Sequence, residues 1–227
     1  MYHFQYVTKK EIRPVRNQLE ELLRLVQDEI RNTLTFQYKF VGSVSRNMVT
    51  FDKKGNKGFD FDVNIKINDE EENFTAKEIK HILMNAFNRL AEEFCYDRCE
   101  DSTRVFTIKV KDRENSKIYH SCDFAIVYNC EDGRQQYIKF NKSAKPPYYS
   151  WEFQSEGFYK LEEKIKFCKD NDLWIDVRNL YLEKKNRNTD PSEKSRQIFA
   201  KTIHQICQRN GYYQEPLTRD MCGFYVV

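Results

Sequence analysis

The segment Phe59-Asp-Phe-Asp-Val-Asn-Ile-Lys-Ile67 carries the residues best suited to chemistry in this chain. On a strand, alternation sends Phe59, Phe61, Val63, Ile65 and Ile67 to one face and Asp60, Asp62, Asn64 and Lys66 to the other. Two carboxylates at i and i+2 therefore share a face. With 35 acidic residues in 227, acid-x-acid triplets also arise by chance, so the context must carry the weight. Aspartate is depleted in strands, yet two occupy this strand opposite a wholly apolar face. A third, Asp123, interrupts the apolar run of another expected strand, Ser-Cys-Asp-Phe-Ala-Ile-Val. If the two strands are neighbours, three carboxylates converge. Unit charges 4 Å apart repel by about 4 kcal/mol at an effective dielectric near 20. Raised pKa values are one escape. A pair of divalent cations is the other. Mg²⁺ prefers carboxylate oxygens together with substrate phosphate, and two such ions ~3.5–4 Å apart clamp an in-line phosphoryl or nucleotidyl displacement.

A phosphate cradle precedes these residues. Gly42-Ser43 ends the β-rich run Phe36-Gln-Tyr-Lys-Phe-Val41, with Arg46 close behind. A glycine at a strand end lets backbone N–H groups approach a phosphate, and serine adds a hydroxyl. Gly-Ser alone carries little information. Gly-Ser at a strand end that leads, after a turn at Lys-Lys-Gly-Asn-Lys-Gly58, into Asp-x-Asp on a strand is far more restrictive.

The elements that must position these groups follow from periodicity. Residues 9–32 read as a helix carrying Val15, Leu19, Leu22, Leu23, Val26 and Ile30, its regular part beginning at Pro14. The acidic run Asn68–Asn73 ends the Asp-x-Asp strand. Thr75-Ala-Lys-Glu78 is a capping box for a second amphipathic helix, with Ile79, Ile82, Leu83, Phe87, Leu90 and Phe94 inward. Arg104–Val110 and Lys117–Tyr128 read as a hairpin about the polar turn Asp-Arg-Glu-Asn-Ser116. Asn141–Ser150, with two prolines, breaks the pattern and marks a domain boundary. Helices follow over about 155–170 and about 172–186. A last one begins after Asp190-Pro191, carries Ile198, Phe199, Ile203 and Ile206 inward and stops at Gly211.

The order KFVGS, FDFDV, CDFAI resembles the DNA polymerase β-type nucleotidyltransferase superfamily. Within it, the sequence most resembles the template-independent branch: oligoadenylate synthetases, cyclic-dinucleotide synthases and poly(A)- or CCA-adding polymerases. The resemblance covers about residues 34–128 by motif, and the flanking helices by order. Two departures stand out. Residues 44–59 make a longer gap between Ser43 and Asp60 than is usual in the family, read as a longer hairpin or loop. The Lys-Gly-Thr wording of the oligoadenylate synthetases is also absent after Gly-Ser. The resemblance implies an α+β fold: a nucleotidyltransferase-type mixed sheet with flanking helices in residues 1–145, then a helical nucleotide- or acceptor-binding domain in 146–227. It implies that Asp60 and Asp62 bind two Mg²⁺ or Mn²⁺ ions, with Asp123 a third ligand that helps activate the attacking hydroxyl. It implies that Gly42 and Ser43 hold the triphosphate of an NTP such as ATP; Arg46, close behind them, is a candidate phosphate ligand or an ordinary exposed loop arginine. The expected reaction transfers an NMP to a hydroxyl of a nucleotide, an RNA 3′ end or a small molecule and releases pyrophosphate. The alternative is a catalytically inactive scaffold of the same fold that binds nucleotide or RNA.

Each group also has a structural reading. Asp60 and Asp62 suit the solvated face of an edge strand, and Asp123 a strand-end residue paired with lysine. Lys139, Lys142, Lys145, Lys160 and Lys164 are candidate phosphate ligands or solvated surface. Tyr148, Tyr149 and Trp151 favour packing over base stacking. His120 belongs to the face opposite Asp123. The net charge of +3 does not suggest a polybasic nucleic-acid binder. The seven cysteines contain no C-x-x-C pair, so reduced thiols are expected; Cys95 and Cys99, four apart on an expected helix, are the only pair resembling half a metal site. No secretory leader or membrane-spanning run is evident, and a cytoplasmic protein without membrane contact is expected.

Overall fold

Twelve consecutive residues, Lys57–Asn68, form the strand (β4) on which the fold turns, and its alternation is the expected one. Phe61, Val63, Ile65 and Ile67 are buried, whereas Asp60 is exposed and Asp62, Asn64 and Lys66 are half-buried. The computed structural model describes residues 2–55, 57–69, 72–154 and 160–212. The chain divides into two compact units, residues 2–155 and residues 156–227.

In the first unit the elements before β4 are β1 (Phe4–Tyr6), α1 (Lys9–Ile30), β2 (Thr35–Val41), the short helix α2 (Gly42–Ser45) and β3 (Thr50–Asp52). After β4 come α3 (Ala76–Leu90), a 3₁₀ turn over Ala91–Phe94, β5 (Glu100–Asp101), β6 (Phe106–Asp112), β7 (Lys117–Asn129), β8 (Gln135–Asn141) and β9 (Tyr148–Phe153). The main sheet runs β2-β4-β7-β6-β5, with β8 on β7 and β9 on β8. The β4–β7 pair is parallel and the other pairs of this sheet are antiparallel. This is the mixed sheet that was expected. β1 and β3 pair separately as a two-stranded ribbon, which accounts for part of the long stretch between Ser43 and Asp60.

One core joins the apolar face of the sheet to α1 and α3. Leu19, Leu22, Leu23 and Val26 come from α1, and Ile79, Leu83, Ala86 and Phe87 from α3. The Phe87 ring lies 4.6 Å from that of Phe124 and 5.2 Å from that of Phe106. Burying aromatic side chains such as these contributes roughly 1.5–3 kcal/mol each. Thr75 and Glu78 form the expected capping box on α3. α1 starts earlier than Pro14 suggested. Thr8 and Glu11 form a capping box of their own, so the helix begins at Lys9 and runs through the proline.

Two further expectations are corrected. The proline-containing stretch runs into a strand: Tyr148–Phe153 is β9, hydrogen-bonded to β8, and the compact units divide near residue 155, where the sequence placed the boundary at 145/146. Cys95 and Cys99 do not share a helix; Cys95 is exposed in a left-handed conformation after the 3₁₀ turn, and the Cys99 thiol donates to the Met84 carbonyl. The six described cysteines are free thiols, and Cys222 lies outside the described residues, as do Glu70 and Glu71 of the acidic run. Among the described residues no helix is long and apolar enough to cross a membrane.

The second unit contains α4 (Leu161–Asp170), α5 (Trp174–Arg187) and α6 (Ser195–Arg209). Of the first expected helix, residues 155–159 lie outside the description. Ile165, Cys168, Val177, Tyr181, Ile198, Phe199, Ile203, Ile206 and Cys207 are buried here. Asp190-Pro191 forms a turn, with Asp190 accepting from Ser192, and α6 begins only at Ser195, after Lys194 as N-cap.

His120 gives the first unit a testable pH dependence. Its ring is buried, stacks on Phe59 at 5.8 Å and places Nε2 2.9 Å from the Tyr96 hydroxyl. Burial pushes its pKa down to about 4, against about 6.5 in an unfolded chain. The unfolded state therefore takes up a proton that the folded state resists. The stability that His120 contributes is full above pH 6.5 and is lost as pH falls toward 4, by on the order of 3 kcal/mol. Urea unfolding of wild type and His120→Phe should give stability profiles that diverge across this window, the variant being the flatter. Parallel profiles would mean that His120 titrates normally.

Candidate active site

The register between β4 and β7 builds the site. Phe59 pairs with His120, Asp60 with Ser121, Phe61 with Cys122 and Asp62 with Asp123. Because both strands alternate in step, Phe59, Phe61, His120 and Cys122 fall on the core face. Asp60, Ser121, Asp62 and Asp123 fall on the other. The next strand continues these rows, with Thr107 opposite Asp123 and Lys109 opposite Ser121. On the other side Val41 lies opposite Asp62, and the chain leaves β2 there through Gly42 and Ser43.

Gly42 has φ +65°, and a Cβ on it would overlap the Asp62 carboxylate. The Gly-Ser turn therefore lies directly against the second aspartate, an approach open only to glycine. The turn is held by short-range bonds: the Ser45 hydroxyl donates to the Gly42 carbonyl at 2.9 Å, and the Met48 amide to the Ser43 carbonyl at 2.9 Å.

The electrostatics are those of crowded carboxylates. Burial, followed by the charges of Asp123 and Asp60, pushes the Asp62 pKa up to about 6, and Arg46 acts in the opposite direction. Burial also raises Asp123, against a hydrogen bond from Thr107 and the charge of Lys109. The Ser121 hydroxyl donates to Asp60 Oδ1, and the Thr107 hydroxyl to Asp123 Oδ1 at 2.5 Å. Among the described residues, no three His, Cys, Asp or Glu side chains form a ready-made metal-holding group. The donor chemistry nonetheless fits a hard cation. Hard carboxylate oxygens meet on one face, burial and mutual repulsion raise the pKa values of Asp62 and Asp123, and Mg²⁺ sites of this class draw further ligands from substrate phosphate and water.

No family model matches the sequence, and no curated protein matches it. Solved structures do. The GTP-bound form of DncV from Vibrio cholerae aligns over 92% of this chain and 54% of its own, at TM-score 0.53 and 14% identity. A STING-associated CdnE c-di-GMP synthase from Capnocytophaga granulosa aligns over 88% and 60%, at TM-score 0.57 and 16% identity. The CD-NTase CdnG from Bradyrhizobium diazoefficiens, in complex with GTP, aligns over 83% and 63%, at TM-score 0.51 and 10% identity. The likeness shows that the chain shares the fold of these structures. The chain spans between about half and two-thirds of the length of these structures.

Within this nucleotidyltransferase fold, Gly42, Arg46, Asp60, Asp62 and Asp123 come together, and Ser43 follows Gly42 in the same turn. Other candidates of the first unit have partners elsewhere. Tyr149 stacks on Phe140 at 4.4 Å and donates to Asp101 at 2.5 Å, and Trp151 packs against the core. Lys142 donates to the Asp101 carbonyl and Lys139 lies 3.8 Å from Glu152. In the second unit, Lys160 lies 3.6 Å from Glu163. Lys164 is buried beside His204. Ser121, Thr107 and Lys109 were not singled out from the sequence. The usable signal was a hydroxyl two residues before a strand aspartate, in Ser121-Cys-Asp123, which alternation places on the same face.

Proposed function

We propose that this chain is a metal-dependent nucleotidyltransferase that moves a nucleoside monophosphate from an NTP to a hydroxyl and releases pyrophosphate. The observation that carries this reading is the in-register pairing of Asp62 with Asp123 beside Asp60, with Gly42 packed against Asp62. The nucleotide-bound structures of the same fold support it.

Asp60, Asp62 and Asp123 would hold two Mg²⁺ or Mn²⁺ ions. When bound, the ions supply positive charge between the carboxylates and the triphosphate and favour attack at the α-phosphorus. The chain's own groups do the rest. The Gly42 turn brings backbone N–H groups and the Ser43 hydroxyl to the β- and γ-phosphates. Arg46, whose charge already acts on Asp62, adds a fixed cation on the phosphate side. Asp123 takes the proton of the acceptor hydroxyl as its oxygen bonds to the α-phosphorus and pyrophosphate leaves. A raised carboxylate pKa suits it to that exchange. The acceptor is a nucleotide, an RNA 3′ end or a small molecule.

The test is incubation with each α-labelled NTP, with Mg²⁺ or Mn²⁺, with and without total RNA. Asp60→Ala serves as the inactive control. Label is expected in a new product, reduced about 10³-fold in the variant. The product's mobility names the acceptor. Metal-dependent NTP binding with no labelled product under any condition would favour the binding scaffold instead.

A further inference from the structure

Two of the three site carboxylates are held from the neighbouring strand by a buried hydroxyl. Ser121 stands across from Asp60 and donates to its Oδ1; Thr107 stands across from Asp123 and donates to its Oδ1 at 2.5 Å. Ser121 and Thr107 are only 8% and 9% exposed, so bulk water has little access to replace either donor. Among the described residues, the second oxygen of each carboxylate accepts no other hydrogen bond.

We propose that Ser121 and Thr107 are positioning residues of the acidic site. Each fixes one oxygen of its aspartate so that the other is presented to the cation before substrate arrives. The inference deepens the nucleotidyltransferase reading and rests on it. Three physical points support it. The terminal torsion of an aspartate is broad, so an untethered carboxylate samples many orientations. Hydroxyl-to-carboxylate bonds are charge-assisted and short, strong enough to select one orientation. Thr107 and Asp123 are directly opposed on antiparallel strands, where Cβ atoms lie about 4.5–5.5 Å apart, within reach of so short a side chain. Mutual repulsion would otherwise turn Asp60 and Asp123 away from Asp62. Asp62 lies against Gly42, whose missing side chain leaves its carboxylate room where a hydroxyl clamp steadies the other two.

A purely structural role makes a different prediction from a positioning one. Two buried hydroxyls that merely satisfy hydrogen bonds would affect stability alone. Positioning residues affect cation affinity and turnover while leaving the triphosphate's own contacts intact. The probe is Mn²⁺ alone, followed by its free-ion paramagnetic resonance signal, on the intact chain. Ser121→Ala and Thr107→Val should each weaken Mn²⁺ binding about tenfold or more, the size typical of lost outer-shell partners. In the labelled-NTP assay kcat should fall by a similar factor with KM for the NTP changed less than about threefold. Thr107→Ser and Ser121→Thr, which keep the hydroxyl, should restore both. If Ser121→Ala does not fold, Ser121→Cys keeps the size with a weaker donor and is judged by the same titration. Wild-type Mn²⁺ affinity in Thr107→Val and in the Ser121 variant, or no Mn²⁺ binding by wild type, overturns the proposal. Tight Mn²⁺ binding that depends on both hydroxyls, in a protein that labels no product, upholds the positioning and removes the catalytic reading instead.

Discussion

Asp62→Asn is expected to abolish nucleotidyl transfer and at the same time to stabilise the metal-free protein. The two effects share one cause. Asp62 is half-buried, and burial followed by the charges of Asp123 and Asp60 pushes its pKa up to about 6 from the ordinary value of 3.8. Above pH 6 the folded state must keep this group ionised at a cost of about 3 kcal/mol, one pKa unit being worth about 1.4 kcal/mol. That cost grows as pH rises from about 4 to 6 and stays constant above. Asparagine keeps the shape and removes the charge. The variant should therefore unfold about 2 kcal/mol less readily than wild type at pH 7.5 in EDTA, and the two should converge only below about pH 4, where Asp62 is protonated in both the folded and the unfolded state. Its turnover should fall about 10³-fold, the loss expected when a principal electrostatic group is removed from a reacting centre. Adding Mn²⁺ should stabilise wild type and leave the variant nearly unchanged, because bound cations are linked to the folded state only where the site is intact. A variant less stable than wild type in EDTA at pH 7.5 would show that Asp62 carries no such burden.

This conflict between charge and burial is also what made the site readable in the sequence. A strand that keeps one face wholly apolar and puts two aspartates on the other is locally inconsistent, and such inconsistencies gather at functional positions. Alternation over Phe59–Ile67 and the Thr75–Glu78 capping box depend only on neighbouring residues, and both were legible. The parallel pairing that sets Asp62 against Asp123 joins segments about sixty residues apart, and nothing local encodes its register. Ser121 and Thr107 went unnoticed for that reason: their meaning comes from the strand across. β9 was hidden differently. Prolines and polar residues before Tyr148 read as a domain boundary, yet Tyr149 and Trp151 share one face of a short strand and pack on the core, while Ser150 and Glu152 occupy the other. At α1 the local signals competed. Pro14 suggested a start, and Thr8-x-x-Glu11, whose N-cap Thr8 lies six residues earlier and directly before the true start at Lys9, was the stronger signal because it satisfies the first amides of the helix.

Gly42→Ala tests whether the close approach between the Gly-Ser turn and the second aspartate matters, and Gly133→Ala isolates the backbone part of the effect. Both glycines are left-handed, with φ of +65° and +83°. An alanine in that region costs about 1–2 kcal/mol wherever it occurs. At Gly133 a Cβ would meet nothing within 4 Å, so that cost is all that is expected and activity should be unchanged. At Gly42 the Cβ would overlap the Asp62 carboxylate, so the turn or the carboxylate must move. A displacement of about 1 Å in a reacting constellation can cost about 10²-fold in rate. Gly42→Ala should therefore lose at least that much in kcat and more stability than Gly133→Ala, measured by the labelled-NTP assay and urea unfolding side by side. Equal behaviour of the two variants would mean that the glycine serves only the turn. A loss confined to Gly42 would mean that the Gly-Ser turn and the Asp62 carboxylate form one rigid contact, and that the sequence uses glycine there because any side chain would occupy the space that Asp62 needs.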